Sequence, residues 1–416
     1  MAIKDRETGR VINKDFMAVA LGGDMNCYGV ARSYYEAYGL RTVMLGRVPV
    51  FPSAESTLYE DRFYDTDLLN DEVLISLLTE VQAKYPGIKK FIYATNDDYV
   101  RHIIHNKAAI EAISDDFIVP VISEELFDRL DDKDSFYAVC EENGLPYPKT
   151  VVFDCAKDKL SDFVIPFDYP IFIKPVSNVI YFNFEFEGKQ KGYRIDSPDE
   201  LLTVMGRIQS AGYPDKFVFQ EYVEGDDDSM YIYSAYCDRS GKVRMMSGGQ
   251  ILMHDRTPEL IGNYNAIGGA RDDEFMAVLA SFLERIGFVG ICHFDVQYDK
   301  KRGGYVVYEI NIRQGRSNYY MTASGMNCAR LLAEDYLGGD AEAGLDGYEI
   351  ADKPFIVSNV SRANLKKAIG KDKVEAVPAD RFFWFQLAPY DKSLKNRINM
   401  MRLERSIMRD YMKYNK

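Results

Sequence analysis

Two stretches decide how this chain folds: Gly290–Tyr298 (GICHFDVQY) and Gly304–Ile312 (GYVVYEINI). Each alternates apolar residues with others at the period of two that a half-buried strand requires. Between them, Asp299-Lys300-Lys301-Arg302-Gly303 is short, polar and ends in glycine, which predicts a hairpin. Three oxygen-bearing side chains interrupt the apolar pattern. Glu309 and Asn311 are two apart, so they share a face, and the hairpin brings Asp295 alongside them. Two carboxylates and an amide oxygen form a hard donor set. It suits magnesium, which takes few protein ligands and keeps positions for waters and phosphates. The solvated outer face of an ordinary hairpin also collects polar residues. Taken alone, these three residues fit either reading.

Upstream, Pro170–Pro175 (PIFIKP) reads as an apolar strand carrying Lys174. A lysine in a central strand needs an anionic partner, because a lone buried ammonium is costly; on an edge strand it would simply reach for water. Lys133 lies just before a helix predicted over 134–143. Between Lys174 and the hairpin, Lys216–Val223 (KFVFQEYV) is another strand, running out into Glu224-Gly225-Asp226-Asp227-Asp228. The exposed backbone of such a hinge can pair with the edge of adenine, and a trailing carboxylate can accept from ribose hydroxyls. A strand ending in an acidic loop is the plainer alternative.

The first part of the chain alternates strands with helices. Phe16–Leu21, Arg41–Leu45 and Lys90–Ala94 are strands, with helices predicted over 28–38 and 68–84. That alternation implies a parallel sheet. Gly22-Gly23-Asp24 and Asn96-Asp97-Asp98 then fall at carboxyl ends of strands, where such sheets bind ligands. The last part, from about 339, holds a strand candidate at 381–387. It closes with a basic helix over 393–414 that packs through Leu403 and Ile407.

Composition narrows the function classes. With 51 Lys and Arg against 64 Asp and Glu, the net charge of −13 argues against general nucleic-acid binding. Apolar residues at 47% are enough for sizeable cores. Six cysteines without CxxC spacing point to a reduced cytoplasmic protein rather than a zinc or disulfide scaffold. The polar N-terminus is not a signal peptide, and no stretch reaches the ~18 apolar residues of a membrane span.

The order of these parts carries more than any one of them. Lysine before a helix, lysine in a strand, hinge with a trailing acid, then Asp…Glu-x-Asn resembles the ATP-grasp superfamily of carboxylate–amine ligases. The resemblance implies an α/β fold: a Rossmann-like pre-ATP-grasp domain over 1–123 and an ATP-grasp domain over 124–338. Within the latter it implies a lid over about 150–225 and a metal-binding hairpin unit over about 226–338, followed by a C-terminal extension over 339–416. It also implies ATP and Mg2+ as cofactors. Lys133 and Lys174 would contact phosphates. Gln220, Glu221, Tyr222 and Val223 would form the adenine hinge, with Asp227 on the ribose. Asp295, Glu309 and Asn311 would hold the metal, and Arg313 with Arg316 the acyl phosphate or substrate carboxylate. One departure stands out. Where many members carry a glycine-rich phosphate loop, 176–193 is glycine-poor but holds Ser177, Asn178, Lys189 and Lys191.

Phe182–Tyr193 (FNFEFEGKQKGY) and Asn311–Tyr320 (NIRQGRSNYY) are further similar to the peptidoglycan D-aspartate ligases. That likeness implies D-aspartate as donor and the lysine side-chain amine of a nucleotide-linked cell-wall precursor as acceptor. Other amino-acid or dipeptide ligases, or a regulatory nucleotide binder that has lost ligation, are the alternatives. A dehydrogenase fits poorly, because Gly22–Gly29 lacks G-x-G-x-x-G spacing. His293 shares a strand face with Asp295, although a packed histidine is the commoner case. The basic helix invites a membrane contact, against which a solvated packed helix is the stronger reading.

Overall fold

In the computed structural model, residues 3–4, 11–12, 15–177, 180–181, 183–257, 262–315, 318–338, 349–350 and 354–415 are described; the side chains of 3–4, 11–12, 133–134, 318 and 349–350 are not. Five parallel strands form an N-terminal sheet. Their spatial order is Tyr59–Tyr64, Thr42–Gly46, Phe16–Leu21, Lys89–Ala94 and Phe117–Ile118. Every residue of Phe16–Leu21 is buried, as a central strand covered on both faces must be. The first helix is Met25–Tyr38, three residues longer at its start than apolar periodicity predicts. Asp24 caps it, its carboxylate accepting from the N–H groups of Asn26 and Cys27 at 3.0 and 3.1 Å.

The strand order reverses between Phe16–Leu21 and Lys89–Ala94. The chain builds outward to one side of Phe16–Leu21 and then crosses to the other. Such a switch point opens a crevice beyond the carboxyl ends of the two strands. Here the crevice floor is tight: the Thr95 hydroxyl donates to the Leu21 carbonyl at 2.7 Å. A Cβ at Gly22 would lie 2.1 Å from that hydroxyl, and the backbone there has φ +127°, so only glycine serves.

A second, antiparallel sheet orders Tyr193–Ile195, Ile171–Pro175, Lys216–Glu221 and Thr150–Asp154. The helix Pro198–Ser210 covers one face through Leu201, Met205 and Ile208. Ile171, Ile173, Phe217 and Phe219 belong to that core. Alternation therefore gives the opposite face to Phe172, Lys174, Val218 and Gln220.

The third sheet runs Gly304–Asn311, Gly290–Asp299, Met230–Cys237, Val243–His254, Tyr264–Ala270, Ile356–Ser358 and Phe382–Trp384, with Glu349–Ile350 beside Val243–His254. The last segment of the chain thus continues this sheet instead of standing apart. Its predicted strand shortens to Phe382–Trp384. Its closing helix, Leu394–Tyr414, is capped by Ser393 and buries Asn396, Met400, Glu404 and Tyr411; Ile407 packs on the same cluster as Tyr411. No helix among the described residues is long and apolar enough to cross a membrane.

A buried arginine locks the two ends of the chain together. Arg32, 3% exposed, donates from Nη1 to the carbonyls of Trp384 and Phe385 at 3.0 and 2.8 Å. Its guanidinium lies 4.0 Å from the centre of the Tyr319 ring and pairs with Glu36 at 3.0 Å. Asp391 adds a second tie, accepting from the N–H and hydroxyl of Thr57 at 3.1 and 3.0 Å. Replacing Arg32 by leucine strands these acceptors in the interior. Urea denaturation of Arg32→Leu should show a loss of about 3–5 kcal/mol in unfolding free energy. A loss below ~1 kcal/mol would mean that the clasp is incidental.

Candidate active site

The hairpin closes as the sequence predicts. Gly303, at φ +67°, donates its N–H to the Asp299 carbonyl at 2.8 Å, and the Asp299 carboxylate accepts from the Lys301 N–H at 2.9 Å. Its register sets Asp295 directly opposite Glu309, and His293 opposite Asn311. The ladder shifts just after Asp295, a bulge that re-aims the side chains there. Asn311 Nδ2 donates to Asp295 Oδ2 at 3.2 Å. Burial and then the charge and contact of Glu309 push the Asp295 carboxyl well above the usual carboxylate range, with Arg313 and Asn311 opposing.

Two carboxylates forced together with an amide oxygen fit a hard divalent cation. A cation would supply the positive charge that neither strand provides. No group of three or more His, Cys, Asp or Glu side chains gathers among the described residues, at this hairpin or elsewhere. A donor set of two carboxylates is nevertheless what magnesium uses when phosphate oxygens and waters complete its shell. His293 is not a ligand or base in this arrangement. It is buried, its Nδ1 has no partner among the described residues, and burial followed by the charge of Arg313 holds it neutral.

Arg313 follows the hairpin strand and is 15% exposed. Its Nε donates to Asp97 at 2.6 Å, across to the switch-point crevice of the N-terminal sheet. Burial works against its charge, but Asp97, Asp295 and Glu309 outweigh it and hold the guanidinium protonated. Behind it, Ile92, Val100, Pro120 and Ile291 line a cavity of ≈ 30 Å³, room for about one water. Arg316 lies outside the described residues. Arg271 makes a bidentate pair with Asp273 at 2.6 and 2.9 Å.

The open face of the four-stranded antiparallel sheet turns toward the same hairpin. Lys174 Nζ lies 5.7 Å from the centre of the Tyr308 ring, next in sequence to Glu309. Gln220 is 1% exposed and donates to the Tyr137 hydroxyl at 2.8 Å and to Thr150 Oγ1 at 3.1 Å. The Glu221 N–H donates to the Lys149 carbonyl at 2.8 Å, and its carboxylate pairs with Arg302. Tyr222 lies under the Arg194 guanidinium at 4.6 Å. The Val223 carbonyl accepts from Gln297 Nε2 at 3.2 Å, while its N–H has no partner among the described residues. A Cβ at Gly225 would meet Ser229 Oγ at 2.1 Å and Gln297 Nε2 at 2.5 Å, so the hinge lies flat on the hairpin only with glycine there. Lys133 opens the helix Lys133–Asn143, with its side chain outside the description.

The acids after the hinge are separately engaged. Asp226 pairs with Lys300, Asp227 with Arg256, and Asp228 with Lys373 at 3.0 Å. In the glycine-poor stretch, Lys189 pairs with Glu185 at 3.0 Å, and Tyr181 donates to the Gln190 carbonyl at 2.6 Å. Asn178 lies outside the described residues. Sequence reasoning missed Tyr308, Gln297 and Asp97 as parts of this site. The only signal for Asp97 was its loop at a strand's carboxyl end; for Tyr308, its place beside Glu309.

No family model matches the chain. The D-aspartate ligase of Enterococcus faecium (strain Aus0004) is 36% identical over 361 residues, 86% of this chain and 82% of that protein. Among solved structures, the ADP complex of N5-carboxyaminoimidazole ribonucleotide synthetase aligns with TM-score 0.62 at 11% identity, over 98% of this chain and 100% of that one. The L-amino acid ligase of Bacillus licheniformis aligns with TM-score 0.55 at 15% identity, over 78% of this chain and 74% of that one. At these identities the structural likeness is one of fold.

The facing carboxylates make a testable cost. A carboxyl whose folded pKa is raised holds its proton more tightly when folded. The stability it contributes is complete below the unfolded value of about 4 and is lost as pH rises through the raised value. Metal-free Glu309→Gln should therefore melt a few degrees above the parent at neutral pH, with the difference vanishing below about pH 4. Magnesium should raise the parent's Tm and leave that of Glu309→Gln unmoved. A lower Tm for the variant at neutral pH would contradict this account.

Proposed function

The chain belongs to the D-aspartate ligase family of ATP-grasp enzymes, and from that premise we propose that it joins the β-carboxyl of D-aspartate to the lysine side-chain amine of a nucleotide-linked peptidoglycan precursor, at the cost of ATP. The observation that carries this reading is the Asp295–Glu309–Asn311 cluster on the hairpin, with Arg313 at its edge and the Lys174 face of the lid above it.

A carboxylate does not react with an amine in water, because its oxygen leaves poorly. Phosphoryl transfer from ATP to that oxygen gives an acyl phosphate; the amine adds to the carbonyl carbon, and phosphate departs with the C–O electron pair. Bound magnesium would neutralise charge on the transferring phosphoryl group. Asp295, Glu309 and Asn311 would hold it. Lys174, and Lys133 with it, would face the phosphates, adding fixed positive charge where negative charge spreads. The Val223 N–H and the Glu221 carbonyl would meet the adenine edge. Gln220 would stay buried beneath that hinge, and Tyr222 would flank it.

Asp227 keeps the ribose role by its position after the hinge, and must exchange Arg256 for ribose hydroxyls to fill it. Arg313 and Arg316 would hold the anionic donor and its acyl phosphate. Six buried cysteines, none in a disulfide, suit a reducing compartment, and we place the reaction in the cytoplasm.

ADP release from purified protein, measured with ATP, magnesium, acceptor precursor and one amino acid at a time, checks the donor. D-aspartate should stimulate release at least tenfold over L-aspartate or D-alanine, and the acceptor should gain one aspartyl residue by mass. Stimulation by D-alanine but not by D-aspartate would sink the assignment. In the same assay Lys174→Ala should lower kcat/KM by about 10²–10³-fold, the loss expected when one electrostatic contact to the transition state is removed.

A further inference from the structure

Two opposite charges of this molecule face each other across the crevice, one after the candidate-site hairpin and one at the end of an N-terminal strand. Arg313 ends the metal hairpin. Asp97 begins the helix Asp97–His105 at the carboxyl end of Lys89–Ala94, on one lip of the switch point of the N-terminal sheet. They meet at 2.6 Å although 216 positions separate them in sequence. The partners are unlike in setting. Arg313 is 15% exposed and Asp97 is 71% exposed. An ion pair with one partner so exposed contributes little to stability, so it is a poor explanation for itself.

The other acids at the crevice are spent on the fold or lie farther from the arginine's grasp. Asp24 caps its own helix through Asn26 and Cys27. Asp295 and Glu309 face each other in the hairpin. Asp97 has no capping duty: Asn96 caps that helix, accepting from the Tyr99 N–H at 2.9 Å. At the first position of the helix the carboxylate lies beside the exposed N–H groups of the N-terminus.

We propose that Asp97 is the specificity residue for the α-ammonium group of the donor amino acid, acting opposite Arg313, which takes a donor carboxylate. This rests on the ligase reading above and adds to it the residue that distinguishes an amino acid from a plain carboxylic acid. An amino-acid donor brings one cationic and at least one anionic group into the crevice. Inserted between Asp97 and Arg313, it replaces one ion pair with two, so neither side chain is left without a counter-charge. A donor lacking the ammonium leaves Asp97 facing a second anion, and the crevice rejects it. No covalent step involves Asp97.

The test compares D-aspartate with succinate, the same dicarboxylate without the ammonium, on the full chain and its variants. Succinate is scored as substrate by ADP release, or as competitive inhibitor where it is not turned over. Asp97→Ala should lose about 100-fold in kcat/KM on D-aspartate, mostly through KM, because a site built around a charged group loses most when that pairing goes. KM or Ki for succinate should change less than about threefold, or improve, and KM for ATP should not move. Asp97→Asn should fall between parent and Asp97→Ala. Asp98→Asn, one residue along, should behave as the parent.

An equal loss on D-aspartate and succinate would overturn the proposal, since Asp97 would then serve only to orient Arg313. Unchanged kinetics on both would overturn it as well. If the parent turns over a different amino acid, the donor assignment falls while this proposal does not. The same comparison is then run with that amino acid and its deamino analogue. Thermal midpoints of both Asp97 variants should stay within a few degrees of the parent, which separates a binding defect from a folding one.

Discussion

Asp295 and Glu309 stand directly opposite each other across an antiparallel hairpin, and the site is organised around that repulsion. Two ionised carboxylates there would repel, and burial together with that facing raises the affinity of Asp295 for its proton. The fold does not remove the cost. It moderates it, with the Asn311 amide on Asp295 and the Arg313 guanidinium nearby. A purely structural hairpin would gain by replacing either carboxylate with an apolar residue.

The same logic of one face for folding and one for chemistry governs the lid. Ile171 and Ile173 bury themselves beneath the helix Pro198–Ser210, and because side chains alternate, Lys174 is driven to the other face. Phe217 and Phe219 do the same for Gln220. Gln220 is then satisfied from the neighbouring unit, through Tyr137, whose hydroxyl donates to the Tyr308 carbonyl at 3.1 Å on the hairpin strand. Gln220, Tyr137 and the Tyr308 carbonyl therefore form one hydrogen-bonded chain between the two antiparallel sheets.

Much of this was legible from local pattern. The hairpin, the lysine strand and the hinge each follow from alternation and a closing glycine, and the parallel N-terminal sheet from alternating strands and helices. What escaped was non-local. Nothing around Asp97 in the sequence points to Arg313, and nothing around Arg32 points to the carbonyls of Trp384 and Phe385. The first helix begins earlier than its apolar period because Asp24 supplies a cap, a signal carried by one polar residue. The three-residue strand Ile356–Ser358 is too short for periodicity to reveal, and its partner Tyr264–Ala270 lies about ninety positions back.

That late strand bears on how the molecule comes into being. The sheet that carries the metal hairpin gains its final edge only from residues beyond 350, and Arg32, made early, is buried against carbonyls made near the end. A ribosome adding about 5–20 residues each second leaves that guanidinium and the open edge of Tyr264–Ala270 waiting for many seconds. During that interval the N-terminal sheet can form from local crossovers, but the third sheet presents an unpaired edge. The order of synthesis thus sets when Arg32 and the edge of Tyr264–Ala270 can first be covered.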